Sequence, residues 1–354
     1  MRKAQVGTSR PTPVRMWLLC GFAFLAAAQS AVGDFGASVY VALAAFVSAV
    51  LAELFVTHRV HGFRKIMDGS AAASALVLAL LLPNYIHPMH AALGAFFAIA
   101  VVKHSFGGLG SNWMNPALGG WLFVRFSWPE SFSMALEFDG QYGYVQGVGS
   151  LADLAIRDFL NRTVFPLLGA ELPAGYIDVF WLQAPGIIAD RAVLALLVLV
   201  AAMFAFRSSR WWVSVAYLAV FALLARMAGD IPFGGYWWEG DILMALLSGG
   251  TLVTAFVLLA EPSSGAKSMP GALVMAVFAA ALSFAFRYFG GEAYGGFFAV
   301  ALVNALAPLL RGLERRLFYA QPSEARLLLE ARFLLEAPAW EAGDAETLSR
   351  GGPV

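Results

Sequence analysis

Ten apolar stretches recur along this chain, divided by short segments rich in charge, glycine or proline, and a water-soluble core has no use for so many. They fall at roughly 14–32, 35–57, 70–86, 89–103, 114–127, 190–206, 211–228, 240–260, 269–287 and 293–310. A helix crossing the bilayer needs about 20 mainly apolar residues, and fewer where protein shields it. The third to fifth stretches are short and broken by glycine and proline. Composition agrees: 60% of the 354 residues are hydrophobic and 13% charged, against about 45–50% and roughly 25% in soluble domains. The expected fold class is an all-α polytopic membrane protein. The first stretch follows Arg2, Lys3 and Arg10 as a signal peptide would, but it approaches spanning length and reads as the first transmembrane helix.

Charge sets the orientation. With the N-terminus inside, cytoplasmic segments hold Arg2, Lys3, Arg59, Arg64, Lys65, Lys103, Arg207, Arg210, Lys267 and the arginines from Arg311 to Arg350. The 127–190 loop instead carries eight acids, from Glu130 to Asp190. Positive residues gather on the cytoplasmic side, so both termini belong there and an even number of crossings is expected. The net charge of zero points to no nucleic-acid partner. Cys20 is the only cysteine, so an internal disulfide, a paired-cysteine redox motif and an all-protein thiolate cluster are excluded.

The long loop divides the chain into residues 1–127, an extracytoplasmic loop 128–189, residues 190–316, and a cytoplasmic tail 317–354. The two halves share an order of features. One reads Leu82-Pro83, an apolar helix, Phe106-Gly107-Gly108, then a glycine-rich helix with Asn115; the other reads Glu261-Pro262, an apolar helix, Phe289-Gly290-Gly291, then a glycine-rich helix with Asn304. Five crossings per half is odd, so the second copy enters from the opposite face, an inverted repeat. Chance likeness between alanine- and glycine-rich helices is the competing account. The leucines of the tail, interleaved with Arg and Glu, suit either an amphipathic surface helix or a partly disordered tail.

Polar residues at membrane depth are costly and are functional candidates by default. The densest set runs from Lys103 to Pro116. Gly107, Gly108, Gly110 and Ser111 permit turns and close approach, Pro116 suits the first turn of a helix, and Asn112 and Asn115 share a face if that turn is helical. Two carboxamides offer donors and acceptors to a flat heterocycle such as an isoalloxazine ring; they serve equally to cap the helix and bridge neighbouring spans. A second set surrounds Asp68 and Ser70, either of which can cap the third helix, with Arg64 and Lys65 able to meet anionic lipid or phosphate. In a third, Glu261 to Ser268, Glu261 suits an ion path or an interfacial turn. No catalytic residue and no metal site is assignable.

The run Phe106-Gly107-Gly108-Leu109-Gly110-Ser111-Asn112-Trp113-Met114-Asn115-Pro116 resembles the signature of the RnfD/NqrB family, membrane subunits of Rnf and sodium-pumping NADH:quinone oxidoreductase complexes. Asp68-Gly69-Ser70 through Leu82-Pro83, Gly240-Asp241 through Glu261-Pro262, and Arg287 to Gly290 with Asn304 resemble its other motifs, so the likeness covers about residues 35–316. The family usually has Asp-Pro where this chain has Glu261-Pro262. The resemblance implies ten spans in two inverted five-helix repeats, similar to urea-transporter-like folds, and places the chain with RnfD by its short N-terminus. It also implies a non-covalent flavin, riboflavin or FMN, near Asn112 and Asn115, with Gly107, Gly108, Lys103 and Asp68 beside it. A second flavin, FMN, is normally esterified to a threonine of a Ser-Gly-Ala-Thr-like sequence in the external loop. Here the counterpart runs Gln146 to Ala155 and sets Ala152 at the acceptor position. Ser150 is the nearest hydroxyl and Thr163 the only loop threonine, so covalent FMN is not expected.

The function these features imply is a subunit, not catalytic alone, of an Rnf-type complex coupling ferredoxin/NAD electron transfer to cation translocation across the bacterial cytoplasmic membrane, with other subunits as partners. A channel or secondary transporter of the same architecture is the alternative, and a scaffold whose flavin sites have decayed is a third.

Overall fold

Backbone polar groups inside a bilayer must be satisfied by the chain itself, which leaves the helix as the working element. The computed structural model describes residues 12–31, 36–57, 69–105, 114–132, 151–168, 171, 176–177, 186–205, 210–261 and 268–318, and in these it is helical with a single isolated bridge and no strand. The helices are α1 (Thr12–Ala31), α2 (Ala37–Thr57), α3 (Ser70–Leu81), α4 (Pro88–Phe97), α5 (Pro116–Ser127), α6 (Leu151–Thr163), α7 (Val193–Ala205), α8 (Trp211–Ala228), α9 (Ile242–Leu247), α10 (Thr251–Val253), α11 (Met269–Phe284) and α12 (Gly295–Phe318). Three π-helical segments follow α4 (Ala98–Lys103), α10 (Thr254–Leu258) and α11 (Ala285–Phe289). Each of the ten apolar stretches contains helix among its described residues. The stretches Ala37–Val56, Trp211–Phe233 and Met269–Phe289 are by themselves long and apolar enough to cross a membrane.

Two expectations needed correction. The 240–260 stretch is not one helix: it stops at Leu247 and restarts at Thr251, with Gly249 and Gly250 both at positive φ. Ser70 does not cap α3, because the cap position is Gly69, left-handed at φ 71°, and the Ser70 hydroxyl is engaged elsewhere. The loop also carries a helix, α6, that the apolar pattern did not reveal, since its sequence is amphipathic rather than apolar.

Small residues set the helix contacts. Ala45, Ala49 and Ala52 are fully buried on one face of α2, while Tyr40, Leu43, Val47, Leu51 and Phe55 are exposed on the other. That arrangement suits a helix with lipid on its outer face and close backbone packing inside. α2 packs on α4 and α3, and α8 packs on α11. Between α4 and α5 the backbones nearly touch: a Cβ on Gly120 would lie 2.7 Å from the carbonyl of Gly94. Trp121 of α5 is fully buried and meets the edge of Phe297 of α12 at 5.0 Å.

α3 has only 12 residues, so its last carbonyls need partners inside the protein. A strap ahead of α7 supplies them: Ile188 N donates to Leu82 O at 3.0 Å and Ala189 N to Leu80 O at 2.9 Å. By its contacts the chain divides into a unit of Met1–Pro308 and a unit of Leu309–Val354. The described part of the second is the last turns of α12, and the tail reading lies outside the described residues.

Candidate functional site

α2 carries a single charged residue, Glu53, which is buried, with 4% of the side chain exposed. Glu53 Oε2 accepts from Lys103 Nζ at 2.9 Å and lies 2.8 Å from His104 Nε2. A carboxylate only accepts, so His104 carries a proton on Nε2 in this arrangement. Lys103 Nζ also donates to Ser70 Oγ at 2.7 Å, and Ser74 Oγ donates to Ser70 O at 2.9 Å. The elements explain the meeting. The π-helical segment carries Lys103 inward at the end of α4, and left-handed Gly69 brings Ser70 to the start of α3 beneath it. Charges so buried persist only when paired and hydrogen-bonded. Carboxylate, imidazole and ammonium within hydrogen-bond reach form an arrangement that can hold, pass or exchange a positive charge.

Asn115 closes the neighbouring wall. Its Oδ1 accepts from Ala117 N at 2.9 Å and Leu118 N at 3.4 Å, capping α5, whose first residue is Pro116. Its Nδ2 donates to Glu261 Oε2, so a side chain from the first half is tied to one from the second. Ser70, Ser74, Lys103, Asn115 and Glu261 face one cavity of about 30 Å³, closed by Met16, Leu19 and Val257. That is room for one or two waters, and not for a three-ring flavin. A second, larger space lies along α5: a groove of about 440 Å³ walled by Phe97, Val101, Val102, Met114, Leu122 and Phe123, with Ser105 and Ser127 among its lining. Phe97 and Phe123 stack in its wall, 4.5 Å apart. This volume lies within the ordinary range of small-molecule sites, about 300–1,000 Å³.

The second half repeats the Lys103–Ser70 contact in other residues. Left-handed Gly250 precedes Thr251 as Gly69 precedes Ser70, and Arg287, in the π-helical segment ending α11, donates from Nη1 to Thr251 Oγ1 at 3.2 Å. The halves also meet through Arg125 of α5 and Glu292, 3.2 Å apart.

Of the residues singled out for flavin, Lys103 and Asn115 are brought to one cavity. Asp68, Gly107, Gly108, Asn112 and Ser150 lie outside the described residues. Thr163 sits at the end of α6, exposed, its hydroxyl donating to Phe159 O at 2.6 Å. Sequence reasoning passed over Glu53 and left His104 unremarked within the run. A lone acid in a 21-residue apolar helix was the available signal for the first. Among the described residues no three side chains are grouped to hold a metal ion.

Apolar helices, three of them long enough to cross a bilayer, are those of a membrane protein. Its sequence matches the NQR2, RnfD, RnfE family over residues 3–319, and the chain belongs to that family. It is 28% identical over 298 residues, 83% of this chain and 88% of the relative, to the D subunit of the proton-translocating ferredoxin:NAD(+) oxidoreductase complex of Clostridium ljungdahlii. It is 28% identical to the D subunit of the ion-translocating oxidoreductase complex of Stutzerimonas stutzeri, covering 84% of this chain and 88% of that one. To the protein of the same name from Pseudomonas aeruginosa it is 32% identical, over 69% and 72%.

Proposed function

We propose that the chain is the flavin-holding membrane subunit of an Rnf-type complex, which links electron transfer between ferredoxin and NAD to cation translocation across the cytoplasmic membrane, with other subunits of the complex as partners. The observation that carries this reading is the buried Glu53–Lys103 pair, with His104 on the same carboxylate, beside Asn115-Pro116 in a chain of this family. Ferredoxin and NAD chemistry resides in other subunits, for this sequence has no cysteine cluster.

Ten crossings in two inverted five-helix repeats, residues 1–127 and 190–316, are supported by paired details. α3 and α10 each open behind a left-handed glycine. α4 and α11 each carry proline in the first turn behind a side-chain cap, His87 and Ser268, and each runs into a π-helical segment bearing a basic residue. The distribution of basic segments supports both termini in the cytoplasm.

The walls of the larger groove, Val102, Met114, Leu122 and Phe123, suit the apolar faces of a flavin ring system. When bound, the flavin supplies one- and two-electron redox chemistry. The chain's own residues do the rest. Asn115 holds the start of α5 against Glu261. Lys103 neutralises Glu53, and a proton or cation arriving at that carboxylate would displace the ammonium. Ala152 at the acceptor position, with Thr163 bonded within its helix, supports a chain without covalent FMN.

The test is Glu53→Gln in the whole complex, assayed in inverted vesicles for cation uptake and for ferredoxin-dependent NAD reduction. Uptake should fall much further than electron transfer. Equal retention of both would remove Glu53 from the ion path.

A further inference from the structure

A helix that stops inside a membrane leaves carbonyls bare at its end, a natural place for a cation. The break between α9 and α10 is of this kind, and a side chain already fills it. Arg287 Nη1 donates to Ala245 O and Ser248 O, both at 3.0 Å, and to Thr251 Oγ1; its Nη2 donates to Ser248 Oγ. The two hydroxyls spend their own protons on carbonyls. Ser248 Oγ donates to Met244 O at 2.6 Å, and Thr251 Oγ1 reaches Ser248 O at 2.8 Å and Ala245 O at 3.0 Å. Both therefore turn lone pairs toward the guanidinium. The cradle has no room to spare: a Cβ on Gly249 would stand 2.9 Å from Arg287 Cζ. At the other side of the break, Gly250 N donates to Asp190 Oδ1 at 2.9 Å, which fixes where α10 begins.

We propose that Ala245 O, Ser248 O, Ser248 Oγ and Thr251 Oγ1 form a cation site that Arg287 occupies as a tethered cation, so that this helix break is closed to the transported ion. The first half makes the contrast. There the basic side chain meets a carboxylate, which an imidazole also contacts. These four acceptors at Arg287 are neutral oxygens, and an arginine keeps its proton. The two contacts therefore differ in kind: Lys103 is paired with a carboxylate, and Arg287 donates to these neutral oxygens. Arg287 acts as a positioning residue, and its role rests on the chain's own contacts rather than on the flavin reading.

Chemical rescue tests this. In the purified complex, Arg287→Ala should lower the melting temperature of the chain, and millimolar guanidinium should recover at least half of the loss. Tetraethylammonium, too bulky for the cradle, should recover none at the same ionic strength. Arg287→Lys, which keeps a cation, should assemble to a higher level than Arg287→Met, which keeps the length alone; this arm holds even if the alanine variant fails to fold. An alanine variant that melts like the parent would overturn the proposal. So would a loss untouched by guanidinium, or lysine serving no better than methionine.

Discussion

Lys103 Nζ and Glu53 Oε2 stand 2.9 Å apart, joining residues 50 positions apart in sequence, with almost none of either side chain exposed. Neither charge is tolerable alone when so buried, so each holds the other in position. Removing one partner of a buried pair costs about 3–5 kcal/mol, because the other is left unpaired. Lys103→Met should therefore destabilise the chain strongly, and Lys103→Met with Glu53→Gln should regain much of that loss. Thermal melting of the two variants in detergent checks it; a double variant no more stable than the single would show that the pair is not what matters.

Asn115 has both ends of its carboxamide engaged, one at the start of α5 and one on Glu261. Loss of a cap costs about 0.5–2 kcal/mol. Asn115→Leu should lower stability by about that much, since leucine keeps the bulk and loses both hydrogen bonds. Asn115→Asp should keep the cap but set a carboxylate against Glu261, and lose stability through that repulsion. Melting temperatures of the two variants give the answer.

Close backbone approach between α4 and α5 makes a third case. Gly120→Ala would drive a methyl into the carbonyl of Gly94 at 2.7 Å, where only the helix axes themselves can yield. Overpacking of this sort costs about 1–3 kcal/mol. Gly21→Ala on α1, where an added Cβ meets nothing within 4 Å, is the matched control and should be near neutral. Expression level and melting temperature of the two variants compare them directly.

Orientation is tested by reporters. Fusions after residue 150 should report the outside and fusions after residue 320 the cytoplasm, as the positive segments require. Both positions on one side would end the even-numbered inverted repeat.

The helical stretches were legible because apolar length and glycine-proline punctuation are local signals, and so was the start of α5 at Asn115-Pro116. What one stretch of sequence cannot carry is partnership across the fold. Glu53 looks like a stray acid until α4 delivers Lys103 to it, and Ser70 looks like a cap until Gly69 takes that position left-handed and frees its hydroxyl. The break at 248–250 was hidden for another reason: Ser248-Gly249-Gly250-Thr251 adds too little polarity to interrupt an apolar run, and the arginine that stabilises it is nearly 40 residues away.

The central claim, a membrane subunit that holds flavin without a covalent bond, meets its most direct test in the flavin content of this chain. Isolated with its complex and then resolved from it in mild detergent, the chain should show a flavin absorption spectrum. After denaturation the flavin should appear entirely in the supernatant, leaving no fluorescent band at the mass of the chain. A native chain free of flavin would contradict the account, and a fluorescent denatured band with an FMN-phosphoryl mass on Ser150 or Thr163 would contradict its non-covalent form.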